Sequence, residues 1–335
     1  MNNNQIRRYN WWRFLRHFAG PRKDGKWKSK QSELLGELTE QLNPDRILNI
    51  QPVPRVHDIS DNALFSQYIK PGLPVVLAGR AKDWECVELW SPKWLAERYG
   101  EIPTTYLHST PDEMMKGNWG SVDGKFGDVL EAIDNGDRTK YLRFSPLLHT
   151  HKELLKSYDL KWLKKLRHKF SQGKKLQLFV GPENSKTDWH CAIEYNLFTQ
   201  IYGQKHWYIC SPEYDPYFDP MNLGKAYFPS AFDPSNPDFE RFPLSPLAVI
   251  METTLEPGDI LFIPTSWWHQ VENKSASVAV AMRWFNFYRS IKTSWIQTLL
   301  TLLCYNPPIW GAIRLSKHNF AKMFASNHGS TVIED

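Results

Sequence analysis

Short strands separated by regular turns fill residues 176–284, and this pattern limits the fold of the 335-residue chain more than any other feature. Side chains alternate with a period of two in five segments: 176–180, 196–201, 205–210, 260–263 and 277–284. Turn sequences such as Tyr202-Gly203-Gln204 and Pro257-Gly258-Asp259 lie between them. Many short strands with regular turns are typical of a sandwich or a closed barrel. Because helical spacing precedes and follows the strands, we predict a mainly β domain with flanking helices, in the α+β class.

Helices are predicted on both sides of these strands. Ser91-Pro92 combines a capping serine with a proline in the first turn, and Gly100 ends that helix. Apolar spacing predicts further helices at residues 32–42 and 63–69, and helical spacing returns after Phe287, including residues 309–324. We therefore assign residues 31–290 to one domain and residues 291–335 to C-terminal helices.

The first 30 residues form a basic arm. They carry nine Lys/Arg against one Asp, a local excess of eight, whereas the whole chain has a net charge of +5. Residues 7–18 have helical spacing, Gly20-Pro21 is expected to end that helix, and residues 22–30 resemble a solvated linker. Two interpretations stay open: a terminal helix packed on the domain, or an amphipathic arm for an acidic partner, a membrane surface or a peptide substrate.

Cysteine usage and hydropathy indicate the environment. Cys86, Cys191, Cys210 and Cys304 lie far apart with no Cys-x-x-Cys pair. This argues against a structural zinc site or a disulfide framework and fits a reducing compartment. The sequence contains no apolar run long enough to span a bilayer and no secretory signal pattern at its start. We expect a cytoplasmic protein without a transmembrane segment, and nucleic acid is not an expected partner.

Two segments carry the candidate chemistry. Residues 186–205 read KTDWHCAIEYNLFTQIYGQK, and residues 264–269 read PTSWWH. Together they resemble the JmjC/cupin-like family of iron(II)- and 2-oxoglutarate-dependent oxygenases. The resemblance extends over residues 55–290 and implies a jelly roll, the double-stranded β-helix, with about eight core strands between residues 140 and 290.

The resemblance implies that His190 and His269 are iron ligands. Iron in such oxygenases is held on one face by two imidazoles and one carboxylate. His190 and residue 192 are two apart on a strand, so their side chains emerge on the same face. In the family this first motif reads His-x-Asp, and its carboxylate binds the metal. Here Ala192 stands in the place of that aspartate.

The same resemblance implies a 2-oxoglutarate site. The distal carboxylate of 2-oxoglutarate must be neutralised by Lys or Arg, with hydroxyl support. Lys205 follows His190 by fifteen residues, which is the family spacing for this lysine. Thr187 matches the assisting hydroxyl, and Asn196 matches a polar residue near the co-substrate. Taken alone, Lys205 would also fit a solvated turn lysine. Arg283 is a second basic residue near a strand end.

Three interpretations of Ala192 are open. In the first, a halide such as chloride takes the vacated position, as in the radical halogenases of the wider iron/2-oxoglutarate superfamily. In the second, Glu194 or Asp188 supplies the missing carboxylate. Glu194 lies roughly 6.6 Å further along the strand and Asp188 lies beyond His190, so either would need a distortion such as a bulge. In the third, the site is inactive and the domain is a binding module.

The retained residues favour a working site, because a protein without the metal has no physical need for both histidines, the lysine and the threonine. The sequence therefore favours an iron(II)/2-oxoglutarate-dependent radical halogenase of a peptide or small molecule. A hydroxylase with a substitute ligand and a non-catalytic module are the alternatives. The family resemblance also implies a homodimer through the C-terminal helices.

Overall fold

Two β-sheets form the body of the protein in a computed structural model that describes residues 1–40, 46–108, 120–145, 147–222, 226–304 and 331–332. The first sheet has six strands in the spatial order β1 (Asn49–Pro52), β12 (Val249–Leu255), β10 (Lys205–Cys210), β14 (Trp268–Asn273), β8 (Lys186–Ala192) and β11 (Tyr227–Pro229). The second has the order β2 (Arg55–Val56), β3 (Val75–Leu77), β13 (Ile260–Ile263), β9 (Tyr195–Tyr202), β15 (Ser277–Phe285), β7 (Gln172–Gly181), β6 (Lys140–Ser145), β4 (Pro103–His108) and β5 (Gly120–Lys125). A further strand, β16 (Thr331–Val332), pairs with β7.

Consecutive strands alternate between the two sheets. β8 lies in the first sheet, β9 in the second and β10 in the first, and β12 to β15 alternate in the same way. An apolar core contains side chains from both sheets, among them Val76, Phe179, Phe198, Trp207, Ile209, Leu261, Val271 and Ala281. This alternation around one interior is the jelly-roll arrangement, so the predicted mainly β fold with flanking helices is confirmed.

Helices cover the outer faces of the sheets. They are α1 (Asn3–Thr39), α2 (Asp61–Leu64), α3 (Glu85–Leu89), α4 (Pro92–Tyr99), α5 (Phe126–Asp134), α6 (Leu147–Thr150), α7 (Leu160–Lys165), α8 (Phe287–Thr293) and α9 (Trp295–Leu302). A π-helical turn, Phe65–Ile69, continues α2. The predicted start of α4 is confirmed, because Ser91 caps it by accepting a hydrogen bond from the Trp94 amide and Pro92 stands in its first turn.

Strands β8 and β9 each have one face toward the interior between the sheets and the other toward an outer core. On β9, Phe198 points into the space between the sheets, whereas Leu197 contacts a second core on the side of α2 to α7. Trp189 and Cys191 of β8 face a third core, which includes Ile296 and Leu300 of α9. His190, which lies between Trp189 and Cys191, consequently points into the jelly roll.

The first helix differs from the expectation for the basic arm. Helix α1 continues through Gly20-Pro21, and residues 25–30 are helical where a linker was predicted. The span also folds back on itself: Arg16 Nη1 donates to Gln31 Oε1 at 2.8 Å, and Gln31 Nε2 donates to the Tyr9 carbonyl at 3.2 Å. On a straight helix residues 9 and 31 would be about 33 Å apart. The chain therefore reverses direction between Arg16 and Gln31, the stretch that contains the Gly-Pro signal.

Several expectations fall outside the described residues. The helix predicted at 309–324 lies there, as do residues 41 and 42 of the helix predicted at 32–42, which ends at Thr39. The domain boundaries at residues 30 and 290 stay predictions. Among the helices that the structure describes, none has the length and apolar character needed to cross a lipid bilayer.

We predict that the turn between β9 and β10 requires glycine. Gly203 has φ +67°, and a Cβ there would overlap the Ala276 carbonyl oxygen and lie 2.7 Å from Ser275 Oγ. Gly203→Ala should therefore lower the free energy of unfolding by about 2–4 kcal/mol, measured by urea denaturation. Gly136→Ala is the matched control, because Gly136 has φ +69° and open space around its Cα. It should cost only about 1 kcal/mol, and equal losses would contradict the steric argument.

Candidate metal and dicarboxylate site

Two histidines face each other across the β8–β14 pair. His190 and His269 are direct cross-strand partners, with ring centroids 4.2 Å apart. The Nδ1 atom of His190 lies 2.7 Å from the Asp188 carbonyl oxygen, and that of His269 lies 3.0 Å from the Trp267 carbonyl oxygen. A carbonyl only accepts hydrogen bonds, so each Nδ1 carries the proton and each Nε2 keeps its lone pair. The pair is thus oriented to bind a metal through Nε2.

Burial keeps both imidazoles neutral. It lowers the pKa of His269 to about 4. It also lowers the pKa of His190 well below its usual value, and the neighbouring His269 and the positive charges of Arg143 and Arg283 add to that shift. A neutral imidazole is the form that binds metals. Both histidines are therefore ready to act as ligands at neutral pH.

The third ligand of the expected triad is absent from the described part of the chain. Ala192 lies two residues beyond His190 and pairs with Tyr227 of β11, and its methyl group offers no donor. No group of three or more His, Cys, Asp or Glu side chains that could hold a metal occurs among the described residues. Glu194 lies 3.8 Å from Arg283 Nη1. Asp188 interacts electrostatically with Arg143. The structure thus gives no support to either carboxylate as a substitute ligand.

A β-bulge turns Thr187 toward the site. His269 pairs with His190 and Val271 pairs with Thr187, so one residue of β14 (Gln270) opposes two of β8 (Asp188 and Trp189). Cross-strand partners share a face of the sheet. Thr187 therefore points into the jelly roll with His190, although simple alternation over three residues would place them on opposite faces. The bulge reconciles the predicted role of Thr187 with the geometry of a strand.

Lys205 is a fully buried cation in the same interior. Its Nζ donates to Asn273 Oδ1, its partner across the β10–β14 pair, and lies 5.6 Å from the centre of the Tyr141 ring. Burial lowers the pKa of Lys205 to about 7, and the positive charge of Arg143 adds to the shift. The interpretation of Lys205 as a solvated turn lysine is therefore wrong. A second hydrogen bond joins the Tyr141 and Thr187 side chains, so one hydroxyl pair stands near the ammonium group.

Lys205 and His190 lie opposite two positions of β14 whose separation suits a dicarboxylate and a metal. His269, Val271 and Asn273 follow one another at two-residue steps on β14, which places the Cα atoms of His269 and Asn273 about 13 Å apart. Lys205 approaches from the Asn273 end, and Thr187 stands opposite Val271 in between. A five-carbon dicarboxylate, with a metal at one end and the lysine side chain at the other, matches this span.

Two arginines increase the positive charge of the interior. Arg283 lies on β15 opposite Asn196 of β9, on the inward face that also carries Ala281. Burial lowers the pKa of Arg283, and the Glu194 carboxylate opposes that shift. Burial likewise lowers the pKa of Arg143 on β6. Because arginine stays protonated in proteins, the interior holds two guanidinium groups besides Lys205.

Asn196 indicates where a ligand would bind. The residue is buried, yet its Oδ1 and Nδ2 atoms both lack a hydrogen-bond partner among the described residues. Buried polar atoms are nearly always hydrogen-bonded in native proteins. A carboxylate beside Asn196 would accept a hydrogen bond from Nδ2, and a water could satisfy either atom. The residues present therefore fit 2-oxoglutarate, and they fit iron(II) with two protein ligands instead of three.

All six site residues expected from the sequence line this one interior: Thr187, His190, Ala192, Asn196, Lys205 and His269. Their functional roles stay predictions. Sequence reasoning missed Tyr141, Arg143 and Asn273. The alternation of Tyr141 and Arg143 around the apolar Leu142 was a usable signal, because it marks β6 as a strand with one polar face. Asn273 had no comparable signal, since only strand pairing places it beside Lys205.

Comparisons with known proteins agree with the jelly-roll fold. A family model described as a cupin-like domain matches residues 61–290. Lysine-specific demethylase JMJ21 of Arabidopsis thaliana is 27% identical over 236 residues, covering 66% of this chain and 24% of that protein. Lysine-specific demethylase 8 of Xenopus tropicalis is 24% identical over 234 residues, covering 69% and 52%. HSPB1-associated protein 1 of Homo sapiens is 26% identical over 230 residues, covering 60% and 45%. The chain thus spans about half of these relatives or less.

We predict that both histidines are needed for metal binding. Either His190→Ala or His269→Ala should weaken iron(II) binding at least about tenfold, because each removes one of two imidazole ligands. Anaerobic equilibrium dialysis against iron(II) measures the change. His206→Ala is the control, since His206 lies on β10 beside Glu252 and Thr254, away from the pair, and it should bind iron(II) like the wild type. Undiminished iron in the double variant would show that other residues hold the metal.

Proposed function

Because the chain belongs to the cupin-like domain family, we propose that it is an iron(II)- and 2-oxoglutarate-dependent oxygenase that hydroxylates a peptide or small molecule. One observation carries this proposal. A pair of neutral imidazoles, with Nε2 available on each, opens into the same buried interior as the ammonium group of Lys205. Metal-binding and dicarboxylate-binding groups thus share one water-poor space, as such an oxygenase requires.

Different residues would bind the metal and the co-substrate. His190 and His269 would hold iron(II), and Lys205, Thr187 and Tyr141 would hold the distal carboxylate of 2-oxoglutarate. Asn196 and Arg283 lie side by side on neighbouring strands, where they can bind the carboxylate nearer the metal. Iron(II) and 2-oxoglutarate, when bound, supply the oxidation of a carbon–hydrogen bond by dioxygen. Phe198 and Trp207 pack against each other in the interior and limit the access of water.

The relatives support oxygenation of a polypeptide. Two of those described above are named lysine-specific demethylases, which indicates a chemistry that acts on side chains of proteins. A water molecule or another small ligand would then occupy the coordination position that Ala192 leaves. The substrate itself stays a proposal at the level of a peptide or a small molecule.

Halogenation is the second candidate, and one observation favours it. Ala192 lies in an interior that Arg143, Arg283 and Lys205 make positive, and positive charge favours an anion such as chloride in the vacated position. The chloride would replace the charge of the missing carboxylate. Oxygenation stays the first candidate because of the names of the relatives, and a direct test separates the two.

We predict that Lys205 determines the affinity for 2-oxoglutarate. Lys205→Ala should raise the Kd at least about tenfold, which corresponds to about 1.4 kcal/mol and is the scale of a lost charge-assisted contact. Calorimetry on the manganese-loaded protein measures it. Lys186→Ala is the matched control, because the Lys186 ammonium pairs with Asp233 at 2.5 Å outside this site. An unchanged Kd for Lys205→Ala would remove the lysine from the co-substrate site.

The same lysine should make 2-oxoglutarate binding depend on pH. Its pKa of about 7 means that the ammonium form is present below pH 7 and is lost as the pH rises. Above pH 7 binding must take up a proton, so the affinity should fall by up to about tenfold per pH unit. Calorimetry between pH 6.5 and 8.5 measures this trend. In Lys205→Met the trend should disappear, and a flat profile in the wild type would contradict the assignment.

The reaction is tested at Ala192. If the protein is an oxygenase, chloride should leave the absorption spectrum of the anaerobic iron(II)–2-oxoglutarate complex unchanged, and the protein should convert 2-oxoglutarate to succinate in air. Ala192→Asp should then strengthen iron binding and retain this turnover. If chloride changes the spectrum and Ala192→Asp abolishes the change, halogenation is supported instead. A protein that binds neither iron nor 2-oxoglutarate would be a binding module, and the proposal would be wrong.

A further inference from the structure

Helix α8 is hydrogen-bonded to the two loops that adjoin the strands of the candidate metal ligands. Ser290 Oγ donates to the Ile193 carbonyl at 3.1 Å, and Thr265 Oγ1 donates to the same oxygen at 2.6 Å. The two hydroxyls also lie 2.9 Å from each other. Ile193 directly follows Ala192, and Thr265 stands four residues before His269. α8 therefore packs against the end of the jelly roll at which His190 and Ala192 are partly exposed, and we take this end as the entrance to the interior.

Hydrogen bonds join α8 to two neighbouring segments. Asn286 caps the helix and donates from Nδ2 to the Lys169 carbonyl at 3.2 Å. Arg289 Nη1 donates to the Lys70 carbonyl at 2.7 Å. The turn formed by residues 167–170 and the turn that follows Ile69 thus both contact α8, and they adjoin each other, because His168 Nε2 lies 3.1 Å from the Ile69 carbonyl oxygen. Together they form one continuous surface.

This surface exposes large apolar side chains. We call it the rim face and define it by Lys169, Phe170, Phe287, Tyr288, Ile291 and Lys292. Phe170 is 84% exposed and Tyr288 is 62% exposed. The four residues from α8 occupy positions i, i+1, i+4 and i+5, so they share one side of the helix. Single exposed apolar residues are ordinary, but a cluster on one face marks an interaction surface.

Phe170 adds backbone strain to this exposure. Its φ is +63°, a left-handed conformation that a bulky side chain rarely adopts. Because the Phe170 ring is exposed, hydrophobic burial of this side chain does not offset the backbone strain. Such outliers occur preferentially at functional sites, where neighbouring contacts impose them. Here the bond from Asn286 to the Lys169 carbonyl fixes the adjacent backbone.

The rim face is basic at Lys169 and Lys292, and the segments that adjoin it in the chain are basic as well. Residues 160–175 contain seven Lys/Arg and no Asp or Glu, and α8 adds Arg289 and Lys292. Within the described ranges, Lys169, Arg289 and Lys292 form no ion pair with a carboxylate. Arg167 is partly buried, and its Nε and Nη1 atoms have no hydrogen-bond partner in the same ranges. The cations beside the entrance are thus not neutralised by the part of the protein that the structure describes.

We infer that the rim face docks an acidic polypeptide segment with an aromatic or large apolar residue, which presents a neighbouring residue to the interior. This inference rests on the proposed function and names its substrate class. Charge complementarity selects the acidic character, and the exposed rings of Phe170 and Tyr288 select the apolar residue. A seven-residue helix is about 10 Å long, which matches about three residues of an extended peptide. A single extended chain can lie on this face and insert one side chain into the interior.

The test uses a short fluorescein-labelled peptide of aspartate and glutamate with a central phenylalanine, and the readout is fluorescence anisotropy. The full chain is titrated without iron or 2-oxoglutarate, so that binding is separate from catalysis. The double variant Lys169→Glu/Lys292→Glu should bind at least about fivefold more weakly, because two contacts become repulsive. Tyr288→Ser/Ile291→Ser should also weaken binding, and the wild-type affinity should fall as salt is raised.

The matched control is Lys93→Glu/Lys152→Glu. It changes the net charge by the same amount at exposed positions on α4 and at the start of the turn Lys152–Ser157. Its affinity should stay within twofold of the wild type. Normal peptide binding by a protein that lacks 2-oxoglutarate turnover would leave the docking surface intact and reject only the proposed function.

Two further probes test the class of partner. Vesicles of phosphatidylcholine with phosphatidylserine and a single-stranded oligothymidine are titrated in parallel. Preferential binding of the peptide, lost in the rim-face variants, supports the inference. Tighter binding of vesicles or oligonucleotide with the same sensitivity to these variants would overturn it in favour of a membrane or a nucleic acid. Absence of peptide binding, or equal losses in the control variant, would also overturn it.

Discussion

The antiparallel pairing of β8 with β14 is the interaction on which the rest of the site depends. It sets His190 directly opposite His269, and the bulge in the same ladder turns Thr187 to their side. Backbone carbonyls two residues before each histidine then fix the imidazole tautomers. A shift of this register by one residue would move the histidines to the outer face, so the site depends on the exact strand pairing.

A buried polar network supports this strand pair from outside. Asp215 accepts hydrogen bonds from Trp268 Nε1 at 2.7 Å and from Gln297 Nε2 at 2.8 Å, and it pairs with the buried guanidinium of Arg13. Trp268 is the neighbour of His269. A buried ion pair contributes to stability only when its remaining donors and acceptors are satisfied, and these partners do so for the Asp215 carboxylate. The first half of α1 is thereby part of the support of the site, so at least Arg13 of the basic arm is committed to the domain.

The charge of the interior is unusual for a site expected to hold a metal ion. Arg143, Arg283 and Lys205 lie in or beside it, while Asp188 and Glu194 interact with the arginines and not with the imidazoles. Loss of the usual carboxylate at position 192 makes the interior still more positive. Such an interior favours anionic ligands, and a dicarboxylate co-substrate would neutralise part of its positive charge. The basic rim face extends the same preference to the outer surface, so attraction of anions is common to the site and its entrance.

The sequence by itself determined a mainly β fold, because the period-two alternation and the turn signals are local properties of the strands, and the family resemblance narrowed this fold to a jelly roll. Through the resemblance to the JmjC/cupin-like family, it also identified His190, His269, Thr187, Asn196 and Lys205 as one group. The tertiary structure decided what depends on contacts between distant segments. Only the bulge shows how Thr187 reaches the inward face, and only strand pairing brings Asn273 to Lys205. The reversal of α1 likewise requires contacts between residues 9 and 31. Ala192 was visible in the sequence, but the positions of Asp188 and Glu194 beside arginines were not, because no local pattern encodes which charges meet inside a barrel.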